Sequence, residues 1–105
     1  MFKNMTLDEL KTELEKRTEY RFEITEYLGK ETLMLKGLEK KSQIILNFLD
    51  FYNPRERSIN LEGYDERNGY RGFGISSDNI NKIIKWLRER AVSYGWKPSN
   101  EQISF

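Results

Sequence analysis

A chain of 105 residues is long enough for one modest hydrophobic core and too short for two, so residues 1–105 are expected to form a single α+β domain. With 33% charged residues and a mean hydropathy of −0.79, it has no apolar run near the roughly 20 residues of a membrane helix, and no membrane partner is expected. A net charge of +1 argues against non-specific phosphate binding, and the lack of cysteine and histidine excludes a disulfide framework, a thiolate or imidazole metal site, and Ser-His-Asp or Cys-His catalysis.

Thr6-Leu7-Asp8-Glu9 is a capping-box pattern and opens a first helix. Leu7, Leu10 and Leu14 make a narrow stripe, which predicts a helix that leans on a sheet and contributes little of the core. From Tyr20 the period becomes two: Tyr20, Phe22 and Ile24 alternate with Arg21, Glu23 and Thr25, Gly29-Lys30 interrupts, and Glu31 to Leu38 completes a hairpin. After Glu39-Lys40-Lys41, residues 43–52 are apolar at both parities, as in a strand covered on both faces. Helices in so small a domain cover one face, so the other is expected to meet a dimer partner, a ligand or another strand layer; Ile45, Leu49 and Phe51, or their neighbours of opposite parity, would carry it.

Asn53-Pro54 marks a loop. Ser58 to Tyr64 alternate as a half-buried strand, residues 65–69 supply a turn, and Tyr70 to Ile75 return. Ser76-Ser77-Asp78 offer N-caps for a helix over 78–94 with an apolar stripe of Ile80, Ile83, Ile84, Leu87 and Ala91. Gly95 and Pro98 stop it, leaving a tail anchored by Ile103 and Phe105. The order αβββββα predicts an antiparallel meander of about five strands flanked by an N-terminal and a C-terminal helix on one side.

Six of the eight arginines lie in the second half of the chain, making it the expected contact surface. Asp50, Glu62, Asp65 and Glu66 fall near one end of the hairpins, where they would hold magnesium only if they converged; turn acids are ordinarily solubility residues. Gly72-Phe73-Gly74 before a helix start invites a phosphate-loop reading, but neither a dinucleotide fingerprint nor a Walker ending is present. Phe48, Phe51, Tyr52, Tyr64, Tyr70 and Phe73 interleave with Arg55, Arg57, Arg67 and Arg71, a mixture suited to single-stranded nucleic acid or to protein interfaces. Trp86 falls off the isoleucine stripe, with Lys82 and Arg90 one turn to either side. No lead points to a cofactor or a catalytic residue.

The run Ile59-Asn60-Leu61-Glu62-Gly63-Tyr64, a polar turn, and Arg71-Gly72-Phe73-Gly74-Ile75-Ser76 before a helix resembles the last hairpin and helix of the transcriptional positive-coactivator family. Those proteins are dimeric, Whirly-related sheets that bind single-stranded DNA, and the resemblance implies DNA contacts at Tyr64, Arg71 and Phe73. The near-neutral charge, the N-terminal helix and the acidic Glu62, Asp65 and Glu66 depart from that pattern.

In general character the chain is similar to small phage or mobile-element proteins, such as anti-CRISPR, anti-defence and toxin-immunity inhibitors. The leading expectation is a non-enzymatic, cytoplasmic protein that uses no cofactor and blocks a larger protein or ribonucleoprotein partner through Trp86, Arg90, Tyr70 and Arg71, with Tyr64 and Arg67 beside them. Single-stranded nucleic-acid binding is the alternative, and a homodimer is compatible with both.

Overall fold

The computed structural model describes residues 4–39, 41–49, 57–65 and 71–98, with the Arg71 side chain outside that set. The elements run α1 (Leu7–Arg17), β1 (Phe22–Tyr27), β2 (Lys30–Leu35), β3 (Ser42–Leu49), β4 (Ser58–Asp65), β5 (Arg71–Ser77) and α2 (Ile80–Ser93). The strands form one antiparallel meander in chain order, flanked by the two helices, as the alternation predicts.

Register assigns each side chain to a face, because directly paired residues point the same way. The row Ile24–Leu33–Leu46–Leu61–Ile75 crosses all five strands, and its central members join Leu10 and Leu14 of α1 and Ile83, Leu87 and Ala91 of α2 in one core. Both helices therefore lie on the same side. The expectation that α1 contributes little is corrected: Leu10 and Leu14 are fully buried, each contributing roughly 1.5–3 kcal/mol. Leucine is long enough to reach between strands from a narrow stripe.

Thr6 caps α1 as the sequence implies, its hydroxyl accepting from Glu9 N–H at 3.1 Å while the Glu9 carboxylate accepts from Thr6 N–H at 3.0 Å. Glu15 ties the helix to β1 by accepting from Phe22 N–H at 2.9 Å. The second helix starts later than expected: Ser77 is still paired with Ile59, so Asn79 is the cap, its side chain accepting from Asn81 N–H at 2.9 Å. At the far end, Trp96 N–H bonds Ala91 C=O at 2.9 Å and Gly95 N–H bonds Val92 C=O at 3.1 Å, with Gly95 at φ 79. This left-handed stop requires the glycine.

The two-sided apolarity of 43–52 receives a partial answer. β3 ends at Leu49, and residues 50–52, Phe51 included, lie outside the described set. Ile44, Leu46 and Phe48 face the helices, while Ile45 on the opposite face is also 0% exposed. Around it on that face, Thr32, Asn47 and Asn60 are buried, and Asn60 donates to Asn47 at 3.3 Å. Tyr27 and Tyr64 stand on strands three apart, more than about 14 Å in a flat sheet, yet their ring centroids are 6.1 Å apart. The sheet is therefore curled, with this face concave, and Ile45 is buried within a single chain without a dimer partner.

Candidate functional site: an open sheet edge

β5 closes the sheet order and, among the described residues, pairs only with β4, in unbroken register from Ile59↔Ser77 to Asp65↔Arg71. Natural sheets protect such edges with charge, proline or a bulge. The opposite edge strand, β1, follows this rule with the exposed Glu23 and Glu26. Between Gly72 and Ser77, β5 has no charged residue, no proline and no break in register.

The glycines near this edge differ in what they do. A Cβ at Gly63 would lie 2.2 Å from Phe73 Cε1, so that glycine makes room for the ring. A Cβ at Gly72 would lie 2.2 Å from the Gly63 carbonyl oxygen, so it permits close strand approach. Gly74 is exposed, has no positive φ, and a Cβ there would meet nothing within 4 Å. Strand packing gives no reason for it.

On the helix side, Phe73 meets Tyr94 edge-on, with centroids 5.7 Å apart and planes at 75°. The Arg90 guanidinium lies 4.9 Å from the Phe73 ring centre, which turns this flank of α2 toward β5. Trp86, one turn before Arg90, is half-buried against the core rather than protruding, and Lys82 is exposed one turn further back. The β5 backbone, Phe73 and Arg90 thus form one surface, with Trp86 one helical turn away on the same flank of α2. Burial pushes the Tyr94 phenol above its ordinary range, keeping it neutral beside that surface.

Tyr64 lies on the other side. It pairs with Gly72 and faces the concavity, its hydroxyl 3.3 Å from Glu62. Its phenol is pushed up to about 12, first by a hydrogen bond with Tyr27, then by burial and the Glu62 charge. The six expected contact residues therefore do not converge: Trp86, Arg90 and the Arg71 backbone share the β5–α2 surface, Tyr64 is separated from the helix flank by the sheet, and Arg67 and Tyr70 lie outside the described residues. Phe73, expected from the family resemblance to contact DNA, is turned toward Tyr94 and is occupied as a packing residue.

Of the four acids near the hairpin ends, the two within the described residues lie on opposite faces of the sheet. Glu62 faces the concavity, whereas Asp65, of opposite parity, is buried on the helix side with Ser42 Oγ at 3.3 Å; Asp50 and Glu66 lie outside the described residues. Among the described residues no acidic group of three or more is placed to hold a metal. A cleft of about 280 Å³ is lined by Met5, Leu7, Lys30, Glu31, Phe48 and Arg57, among others, away from β5. Its cations are engaged: Lys30 with the Phe48 carbonyl and Arg57 with the Met5 carbonyl.

Two features escaped sequence reading. Trp96 donates to the Lys36 carbonyl at 2.9 Å and packs edge-on against Tyr20 at 4.7 Å, locking the end of α2 to the chain after β2. A Cβ on Gly37, at φ 96, would lie 2.6 Å from Trp96 Nε1. The signal for Gly74 was the Gly-x-Gly spacing, which in a strand puts both glycines on one face. No family model, no curated protein and no solved structure matches the chain significantly.

Proposed function

We propose that this chain is a non-enzymatic binding protein that blocks the surface of a larger protein or ribonucleoprotein, as small phage or mobile-element inhibitors do. The observation that carries the reading is the β5 edge beside Trp86 and Arg90, which no strand beyond β4 covers among the described residues. Tryptophan and arginine are the residue types that anchor protein interfaces, and an unpaired strand edge supplies main-chain hydrogen bonds. The nucleic-acid alternative loses support, since Phe73 is packed inward and Tyr64 stands beside Glu62.

The test is to identify a partner by affinity capture and then measure its binding to purified wild-type protein, Trp86→Ala and Arg90→Glu at two salt concentrations. Binding that persists in moderate salt and falls at least tenfold in each variant, with melting preserved, is expected. Unchanged affinity in both variants refutes the reading. Micromolar, steeply salt-dependent binding of a labelled single-stranded oligonucleotide would establish the alternative.

A further inference from the structure

Resting on that reading, we infer the occupant of the edge: an extended segment of the partner protein that pairs with β5 as a sixth strand. It places an arginine or lysine over Gly74, facing Glu62, and apolar residues along Phe73, Ile75 and Trp86.

Alternate side chains of an added strand point to opposite faces, so each face of β5 sets its own requirement. On the concave face β5 presents Gly72, Gly74 and Ser76, all exposed. Gly74 leaves a notch whose nearest cross-strand neighbour is Glu62, and glycine there weakens the strand by roughly 0.5–1 kcal/mol relative to alanine without relieving any contact. That residue is explained by something entering from outside. Glu62 accepts only from Tyr64 among the described residues, and a carboxylate bordering an open notch matches a cationic side chain. On the helix face the half-buried Phe73, Ile75 and Trp86 favour apolar residues, while the exposed Lys82 and Arg90 disfavour further cations on that side.

A second copy of this chain fits less well. Antiparallel pairing of two β5 strands about Gly74 would set glycine against glycine, leaving the notch unfilled and Glu62 facing no cation. A segment alternating apolar residues with a central basic one satisfies both faces.

The test titrates the isotope-labelled protein with the end-capped peptide Val-Thr-Val-Arg-Val-Thr-Val, and with its counterpart carrying glutamate at the centre, following backbone amide shifts. Expected are shifts concentrated at residues 71–77 and at least tenfold tighter binding of the arginine peptide. Gly74→Val, which has open space for its side chain, should keep the melt and lose at least tenfold in affinity. Glu62→Gln should abolish the preference for arginine while leaving β5 as the locus.

Equal binding of the two peptides, no binding, shifts away from β5, or indifference to Gly74→Val would each overturn the inference. So would a dimer seen by light scattering that Gly74→Val dissociates, since the occupant is then a second copy. A captured partner that requires Trp86 and Arg90 yet tolerates Gly74→Val defeats this inference while leaving the protein-blocking function intact.

Discussion

Gly63→Ala is the most informative single perturbation of the fold, because it asks whether Phe73 is a packing residue. The new methyl would lie 2.2 Å from Phe73 Cε1 and 2.8 Å from Cζ, so the ring must move. Displacement sacrifices the edge contact with Tyr94, worth about 0.5–1.5 kcal/mol, and the Arg90 stacking, worth about 0.5–1 kcal/mol. Strain from overpacking adds about 1–3 kcal/mol, and relief of the glycine's entropy cost returns about 0.5–1 kcal/mol. The net is a destabilisation of about 1–5 kcal/mol, read as a lower urea midpoint at unchanged slope. In a Phe73→Ala background the obstruction is gone, and Gly63→Ala should become neutral or slightly stabilising. Additive effects in this double-mutant cycle, or a stabilising single substitution, would refute the placement of Phe73.

The remaining predictions concern the core, one turn and one ion pair. Ile83→Asp should unfold the domain, since Ile83 is fully buried, whereas Ile84→Asp should still show a cooperative thermal melt because Ile84 is only partly covered; the reverse ranking would contradict the helix orientation. Leu28 is 89% exposed at φ 53 in the β1–β2 turn, so Leu28→Asn should raise stability by about 0.5–1 kcal/mol in the same urea assay. Arg88 donates to both Glu19 carboxylate oxygens, at 2.6 and 2.8 Å, which lowers the Glu19 carboxyl below its ordinary 4.5. The folded state thus binds that proton less readily than the unfolded chain does. The resulting stability is present above about pH 4.5 and lost as pH falls through the lower folded value. Both side chains are substantially exposed, so Arg88→Ala should cost under about 1 kcal/mol at pH 7 and nothing at the acid end.

Local chemistry made much of the fold legible. The Thr6–Glu9 box, the alternation from Tyr20 to Glu23, and Gly95 each act within a few residues and operate as their residue types imply, whereas Ser58 and Asn60, which alternation assigned to a solvent face, are buried, and Ile24 is exposed. What stayed hidden depends on distant pairing. Ser77 looked like a helix cap until its pairing with Ile59 kept it in β5. Tyr64 and Trp86 looked like neighbours on one surface, but strand parity sends Tyr64 to the concave face. Ile45 suggested an external partner because sequence does not show that Tyr27 and Tyr64 close toward each other over a curled sheet. Site legibility was limited for the same reason: Trp86 and Arg90 could be singled out by their helical spacing, but the edge that gives them a role exists only once β5 is known to be last in the sheet.

Amide hydrogen exchange along residues 71–77 of the free protein tests the central claim most directly, because an edge that receives a partner must first be open. Antiparallel pairing to β4 uses alternate backbone groups of β5 and leaves the others pointing outward. The expected result is alternation, with every second amide protected by β4 and the intervening ones exchanging as fast as exposed loop amides. Strong protection at every amide from Gly72 to Ser77 would mean that the edge is already covered, and would contradict the account.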